Sequence, residues 1–306
     1  METLWRACAS GGRLLSRLCR VIDLHTHSCE SDGTQTPRQV LQAAAAAGVR
    51  TVALTDHDTT AGWAQAAQAV DETDVALVRG IEISTRAATP DGGISVHLLA
   101  YLHDPEHPAL LAELTRTRDD RVARARRMTE RLAEDFPLTW DDVVAQTSHG
   151  ATVGRPHLAD ALVAVGVVEH RDEAFATMLH PGAPYYVPHY APDTADAVRA
   201  VLAAGGVPVM AHPRAGQRGR VVTEQTIAEL ATVGLAGLEA DHRDHDAADR
   251  VRLRELAAEL GLLVTGASDY HGAGKQNRLG EHTTDPAVLA EIEDRGTLEV
   301  LRPWSR

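Results

Sequence analysis

The stretch Val21-Ile22-Asp23-Leu24-His25-Thr26-His27 decides how the rest of the chain is read. It begins as an apolar run and ends in two histidines one residue apart. On a β-strand the side chains alternate, so His25 and His27 project to the same side, about 7 Å apart along the strand. Two imidazoles so placed can converge on one cation. An isolated His-x-His would more often be a half-buried strand with two surface histidines. Here Asp32 follows in the polar turn Ser31-Asp32-Gly33-Thr34, and strands ending in histidine or acidic residues recur downstream.

The recurrence has a regular frame. Thr36-Pro37 reads as an N-cap followed by proline at the first helical position, and the alanine-rich helix stops at Gly48. The strand Thr51 to Thr55 ends in Asp56-His57-Asp58. A helix from Ala61 to Val70 leads to a strand from Val75 to Ile83 that carries Glu82, and the strand Ile94 to Tyr101 carries His97. Strands and helices in alternation, with apolar strand runs, predict a parallel α/β sheet. From about Ala109 to Pro188 the alternation gives way to helical periodicity, read as a helical insertion on the rim. It resumes with a helix from Asp193 to Ala204 and the strand Val207 to Ala211, ending at His212-Pro213. The strands Gly237-Leu238-Glu239 and Leu262 to Gly266 follow, the last opening into Ala267-Ser268-Asp269-Tyr270-His271-Gly272. Seven strands are expected, with domain limits at 21–108 and 189–285 for a discontinuous barrel, 109–188 for the insertion, 1–20 for an N-terminal extension and 286–306 for a peripheral C-terminal helix and tail.

Composition narrows the function. A length of 306 residues suits one α/β barrel, and the apolar fraction of 44% is ample for a core built from Ala, Val and Leu. The net charge of −13 argues against a duplex-DNA surface, since non-specific affinity comes from phosphate neutralisation. It leaves room for a phosphorylated small molecule in a locally positive pocket. Cys8, Cys19 and Cys29 share no zinc-motif spacing. No apolar run reaches the ~18 residues of a spanning helix, and Arg6, Arg13, Arg17 and Arg20 interrupt any signal-like core. A soluble cytoplasmic protein without a membrane partner is expected; the oligomeric state is open.

The polar residues at strand ends form one chemically coherent set: His25, His27, Asp32, His57, Glu82, His97, His212, Asp269 and His271. The C-terminal strand ends of a parallel barrel share one face, where active sites sit. Clustered carboxylates and imidazoles at a barrel mouth call for cations. Imidazole and carboxylate without thiolate fit Mn²⁺, Fe²⁺ or Zn²⁺. A separate anion site is expected at Gly154-Arg155-Pro156-His157, where a helix begins with Arg155 and His157 in its first turn. Arg124 is a weaker substrate contact, with Arg121 and Arg127 on the same helix; His242 and Lys275 lie just beyond strand ends; and Tyr185 or Tyr186 has the shape to stack on a base.

The motifs Asp23-Leu24-His25-Thr26-His27, Thr55-Asp56-His57-Asp58, Gly80-Ile81-Glu82-Ile83-Ser84, Ala211-His212-Pro213 and Ser268-Asp269-Tyr270-His271-Gly272 resemble, in order, those of the polymerase and histidinol phosphatase (PHP) superfamily. The resemblance runs from Val21 to about Gly280. With Gly154-Arg155-Pro156-His157 and Tyr186-Val187-Pro188, it looks like the branch acting on nucleoside 3′,5′-bisphosphates and 5′-phosphorylated short RNA, and less like a histidinol phosphatase. It implies a distorted (β/α)7 barrel with a trinuclear site, one metal on His25, His27, Asp269 and Glu82, a second on Glu82, His97 and His212, and a third on Asp32, His57 and His271. It further implies attack on phosphorus by metal-activated hydroxide. The expected activity is hydrolysis of a phosphate monoester, first a nucleoside 3′,5′-bisphosphate. The alternatives are a 5′–3′ exonuclease on short RNA, a histidinol-phosphatase-like enzyme and a non-catalytic metal-binding module.

Overall fold

A computed structural model describes residues 21–89, 92–147, 151 and 153–304, so the extension at 1–20, with Cys8 and Cys19, lies outside the described residues. The strands are β1 (Val21–Thr26), β2 (Val49–Leu54), β3 (Ala76–Ala87), β4 (Ile94–Tyr101), β5 (Val207–Met210), β6 (Gly237–Asp241) and β7 (Leu263–Gly266). They form one seven-stranded sheet in sequence order, an α/β fold. The edges meet beyond β1 and β7, where the His27 N–H donates to the Tyr270 carbonyl at 2.8 Å and Thr26 bridges Tyr270 in parallel. The Asp23 carboxylate adds a tie, accepting from the Ser268 N–H at 3.0 Å.

The sheet departs from the all-parallel expectation at one strand. β4 runs antiparallel to both β3 and β5, while every other pairing is parallel. No helix intervenes between β3 and β4, so the chain can only reverse on itself; parallel neighbours would need a crossover. The hairpin also extends β3 past the expected Ile83 to Ala87, paired with Ile94. Its effect on the site is direct. His97, opposite Ser84, reaches the shared face from the first half of its strand.

Helices α1 (Pro37–Ala46), α2 (Trp63–Thr73), α3 (Pro108–Ala133), α4 (Trp140–Val144), α5 (Arg155–Ala164), α6 (Arg171–Ala174), α7 (Thr194–Ala203), α8 (Glu224–Val233), α9 (Ala247–Leu260) and α10 (Pro286–Arg295) complete the described elements. The α1 start matches its sequence signal, with Thr36 and Gln39 closing a capping box. Strand alternation separates two cores. Leu98, Ala100, Met210, Leu238 and Ala240 face α7, α8 and α9, whereas Leu99, Tyr101, Val207 and Val209 face Ile22 and Leu24 across the sheet. That second cluster is closed by Leu289 and Ile292 of α10 and by Val300, and Leu301 pairs with Leu77. The segment after β7 is therefore packed into the core.

α3 belongs to two cores at once. Leu110 and Leu114 pack against the sheet, while Ala125, Met128 and Leu132 join a separate cluster with Val143, Leu158, Leu162 and Leu179 from the following helices. Among the described residues no helix is long and apolar enough to cross a membrane. Because Ile292 is fully buried under the sheet, Ile292→Ala should cost about 2–5 kcal/mol, read by urea denaturation as a lower midpoint at unchanged slope.

Candidate metal centre

The strand ends bring all nine expected residues to one place. Glu82 of β3 lies at the middle, 1% exposed. Its Oε2 is 3.1 Å from His25 Nε2, 3.0 Å from His27 Nε2 and 3.2 Å from His57 Nδ1. Its Oε1 is 2.7 Å from His97 Nδ1 and 3.2 Å from His212 Nε2. Asp269 Oδ1 faces His25 Nε2 at 3.5 Å and His27 Nε2 at 3.4 Å. Asp32 lies 3.2 Å from His271 Nε2 and 3.8 Å from His57 Nε2.

The local backbone is shaped for these contacts. The turn after β1 folds back so tightly that a Cβ on Gly33 would sit 2.6 Å from the His27 carbonyl oxygen, and this closeness carries Asp32 over the histidines. Asp58, His212 and Asp269 have φ of 55°, 30° and 54°, a left-handed conformation costing non-glycine residues ~1–3 kcal/mol each. Hydrogen bonds hold the loops beneath. Asp56 accepts from the Ser28 N–H and the Ser31 hydroxyl, and Asp58 accepts from the Ser84 N–H.

Three groupings have one donor atom per residue within cation reach: His27, Asp32, His57 and His271; His25, His27, Glu82 and Asp269; and His57, Glu82 and His97. His212 adjoins the third through Glu82 Oε1. The donor set fits divalent cations. His57 Nδ1 and His271 Nε2 are buried without hydrogen-bond partners, and His25 Nε2 and His27 Nε2 approach to 3.0 Å, as lone pairs aimed at a shared centre would. Burial alone would raise the Glu82, Asp32 and Asp269 carboxyls, yet neighbouring cations and imidazoles hold all three well below the usual carboxylate range. Burial drives His57 and His212 well down and His271 to about 4, so these imidazoles are neutral at pH 7. His25 and His27 are the exceptions. Burial opposes their protonation, but Glu82 and Asp269 override it, lifting His27 to about 9 and His25 well above its ordinary value.

The substrate-contact residues divide. His157 is buried, and its Nδ1 accepts from the Gly154 N–H at 3.0 Å, which makes it the helix cap of α5. Arg155 donates to the Leu179 carbonyl at 3.1 Å and lies over the Phe175 and Tyr186 rings. Arg124 is 5% exposed and donates to the Val187 carbonyl at 2.8 Å. Arg121 reaches Asp58 at 2.8 Å and Ser84, beside the centre, whereas Arg127 is half-exposed. Tyr185 bonds Asp135. His242 Nε2 and Lys275 Nζ approach the outer oxygen of Asp269, at 3.5 and 3.0 Å.

Three participants escaped the sequence reading. Arg218, in a loop with no periodicity to mark it, binds Asp269 Oδ2 at 2.6 Å and Asp244 at 2.6 Å. His189 sits among Arg121, Arg124, Arg155 and His97; burial and those charges push it down to about 2. Glu239 accepts from His25 Nδ1 at 2.9 Å. It could have been found, being a carboxylate inside an apolar strand.

A model of the PHP domain matches residues 23–138. A 3′,5′-nucleoside bisphosphate phosphatase of Chromobacterium violaceum is 35% identical over 92% of this chain and 98% of its own length. A phosphoribosyl 1,2-cyclic phosphate 1,2-diphosphodiesterase of Eggerthella lenta is 35% identical, covering 82% of this chain and 94% of its own. A 5′–3′ exoribonuclease of Haemophilus influenzae is 32% identical, covering 81% and 89%. The crystal structure of a metal-dependent phosphoesterase from Bifidobacterium adolescentis is 45% identical, covers 91% of this chain and 97% of that one, and superposes with a TM-score of 0.87.

The raised imidazoles give the centre a proton linkage. A cation must displace protons from His25 and His27, so below a pKa of about 9 affinity is lost as pH falls. Mn²⁺ affinity measured by calorimetry should rise from about pH 7 to about pH 9, by up to roughly tenfold per pH unit for each displaced proton, with protons released into the buffer.

Proposed function

The chain belongs to the PHP domain family and is a metal-dependent phosphoric ester hydrolase, and on that footing we propose that it removes the terminal phosphate of a nucleoside 3′,5′-bisphosphate. One observation carries the choice of substrate. Burial and then Arg155 lower the pKa of Arg124, burial and then Arg121 lower that of Arg155, both guanidinium groups lie near the Tyr186 ring, and among the described residues neither forms an ion pair with a carboxylate. Buried guanidinium groups are normally paired. An anion is the missing partner. Arg121, paired with Asp58 next to His57, links these arginines to the metal centre, so a molecule with one phosphate at the metal centre and another on Arg124 and Arg155 suits the site.

We assign the reacting phosphate to a trinuclear centre on a closed (β/α)7 barrel, with His25, His27, Glu82 and Asp269 for one cation, Glu82, His97 and His212 for a second, and Asp32, His57 and His271 for a third. Nitrogen and oxygen donors without thiolate suit Mn²⁺, Fe²⁺ or Zn²⁺ alike, and we take Mn²⁺ as the first choice. Bound cations supply Lewis acidity and a water acidic enough to attack near neutral pH. The chain's own share is to hold neutral imidazoles and ionised carboxylates in place, and to draw the distal phosphate onto Arg124 and Arg155. His242 and Lys275, on the outer side of Asp269, are in position to meet the reacting end.

The exoribonuclease reading, suggested by the Haemophilus relative, would need a track of phosphate contacts. The arginines of α3 do not offer one. Arg116 stacks on Tyr190, Arg126 on Trp140, Arg118 caps the Asp58 carbonyl and Arg131 donates to the Tyr186 carbonyl.

If Arg155 grips the distal phosphate, Arg155→Ala should lower kcat/KM on a 3′,5′-bisphosphate by about one to two decades, the worth of a charge-assisted bond, and leave an aryl phosphate within about twofold. Equal losses on both would move Arg155 to the reacting phosphate or to the fold. Across oligonucleotides, kcat/KM should stay flat beyond two or three nucleotides at about 50 and 200 mM salt. Each further phosphate contact would steepen the log–log salt slope by about 0.7, and a steady rise with length, weakened by salt, would establish the exonuclease instead.

A further inference from the structure

Glu239 is fully buried in β6, opposite Thr265 of β7, and touches none of the other carboxylates at hydrogen-bond distance. Its two oxygens have separate employment. Oε1 accepts from His25 Nδ1 at 2.9 Å, and Oε2 accepts from the backbone N–H of His212 at 2.8 Å. The Nε2 atoms of the same two histidines reach the two oxygens of Glu82, His25 Nε2 to Oε2 at 3.1 Å and His212 Nε2 to Oε1 at 3.2 Å. The result is a closed ring of two carboxylates and two histidines. The imidazoles stack across it, centroids 5.9 Å apart and planes inclined by 20°.

We propose that Glu239 is a positioning residue that sets the ligand tautomer of His25 and the strained backbone of His212 together, so that both histidines present Nε2 to cations on either side of Glu82. The proposal rests on the reading of the site as a metal centre. Two physical arguments support it. An acceptor at Nδ1 fixes the proton there and leaves the Nε2 lone pair for a cation. His212 has φ of 30°, and the residue that follows is Pro213, which narrows its backbone freedom further. Such a conformation persists only where surrounding contacts over-determine it; the Ala215 N–H donates to the His212 carbonyl at 3.0 Å, and Glu239 supplies the side-chain contact at the His212 N–H. A carboxylate is required. It accepts at both ends, whereas an amide of the same shape accepts at one end and donates at the other.

The test is Glu239→Gln in the full-length protein. The amide faces one of the two N–H groups with its own NH₂. His25 then relieves the conflict by accepting at Nδ1, which moves its proton to Nε2 and blocks the lone pair. Mn²⁺ affinity, measured by calorimetry on protein stripped of metal, should fall by about 10–100-fold, the usual consequence of losing an outer carboxylate. In an Asn or Ala background at position 25 the same change should cost much less, because Glu239 acts through that ring. Affinity within about twofold of wild type, or a loss equal in both backgrounds, would overturn the proposal. A wild-type measurement guards against a variant that fails to fold. With ¹⁵N-labelled imidazoles and diamagnetic Zn²⁺ as the probe, His25 should show a protonated Nδ1 and a metal-shifted Nε2. The reverse tautomer would overturn the assignment of Glu239 while leaving phosphoesterase activity, and hence the reading of the site, untouched.

Discussion

The structure depends on what surrounds the Glu82 carboxylate. Five imidazole nitrogens lie within 3.2 Å of its two oxygens. A carboxylate has about four lone-pair sites, so five rings cannot all be satisfied as donors to it. Asp32 meets two of these rings, His27 and His57, and Asp269 meets His25 and His27. Buried groups of this kind are costly unless each is paired or coordinates a metal. The crowding is relieved when the nitrogens face cations. Of the five non-glycine residues with left-handed backbone among the described residues, Asp58, His212 and Asp269 lie at this face, where strain accompanies function, and Asp74 and Leu102 lie elsewhere.

The direction of β4 explains how the arginines come to stand beside that carboxylate. Because β4 descends from the metal face, it ends at Tyr101, paired with the first residue of β5, at the opposite end of the sheet. The connection must therefore climb back before the helices that follow can cover the site. α3 makes the climb in a single helix of 26 residues, about 39 Å at 1.5 Å per residue. Its first turns pack on the sheet and its last turns on the separate helical cluster. Arg118, Arg121 and Arg124 lie between, at the height of Asp58 and Ser84. α7 then brings the chain down, from Asp193, bridged to Arg86, to the start of β5.

Much of this was legible in the sequence because it follows period and punctuation. Seven strands, the Thr36 cap and the helix Thr194–Ala203 are fixed by apolar runs and by residues that start and stop helices. The gathering of His25, His27, His57, Glu82, Asp269 and His271 was legible for the same reason, since they lie in the second half of β1 and β3 or just beyond β1, β2 and β7, strands that meet around the sheet. The reversal of β4 was not, because strand direction leaves no mark on a run such as Ile94 to Tyr101. It depends on whether the link from β3 is long enough for a crossover, and that link is short. His157 has a second employment that the sequence did not mark. Its position in the first turn of α5 suggested an anion contact, and the same position lets Nδ1 accept from the Gly154 N–H at the start of the helix.

The arginine run of α3 shows most clearly where sequence stops. Residues three or four apart share a helix face, so Arg121, Arg124 and Arg127 form one consistent stripe on paper. The stripe that faces the site is displaced by one step, with Arg118, Arg121 and Arg124 inward and Arg127 half in solvent. Periodicity gives the spacing of a face but not which residue begins it; the phase comes from Leu110 and Leu114 seating on the sheet. That phase decides the electrostatics. In a chain of net charge −13, it takes Arg124 out of water beside Arg155, away from the carboxylates that neutralise Arg121 and Arg218. Two guanidinium groups gathered around the one Tyr186 ring are what the proposed substrate, a compact anion with two phosphates, would use; a long chain of singly charged diesters would need charge spread along its length.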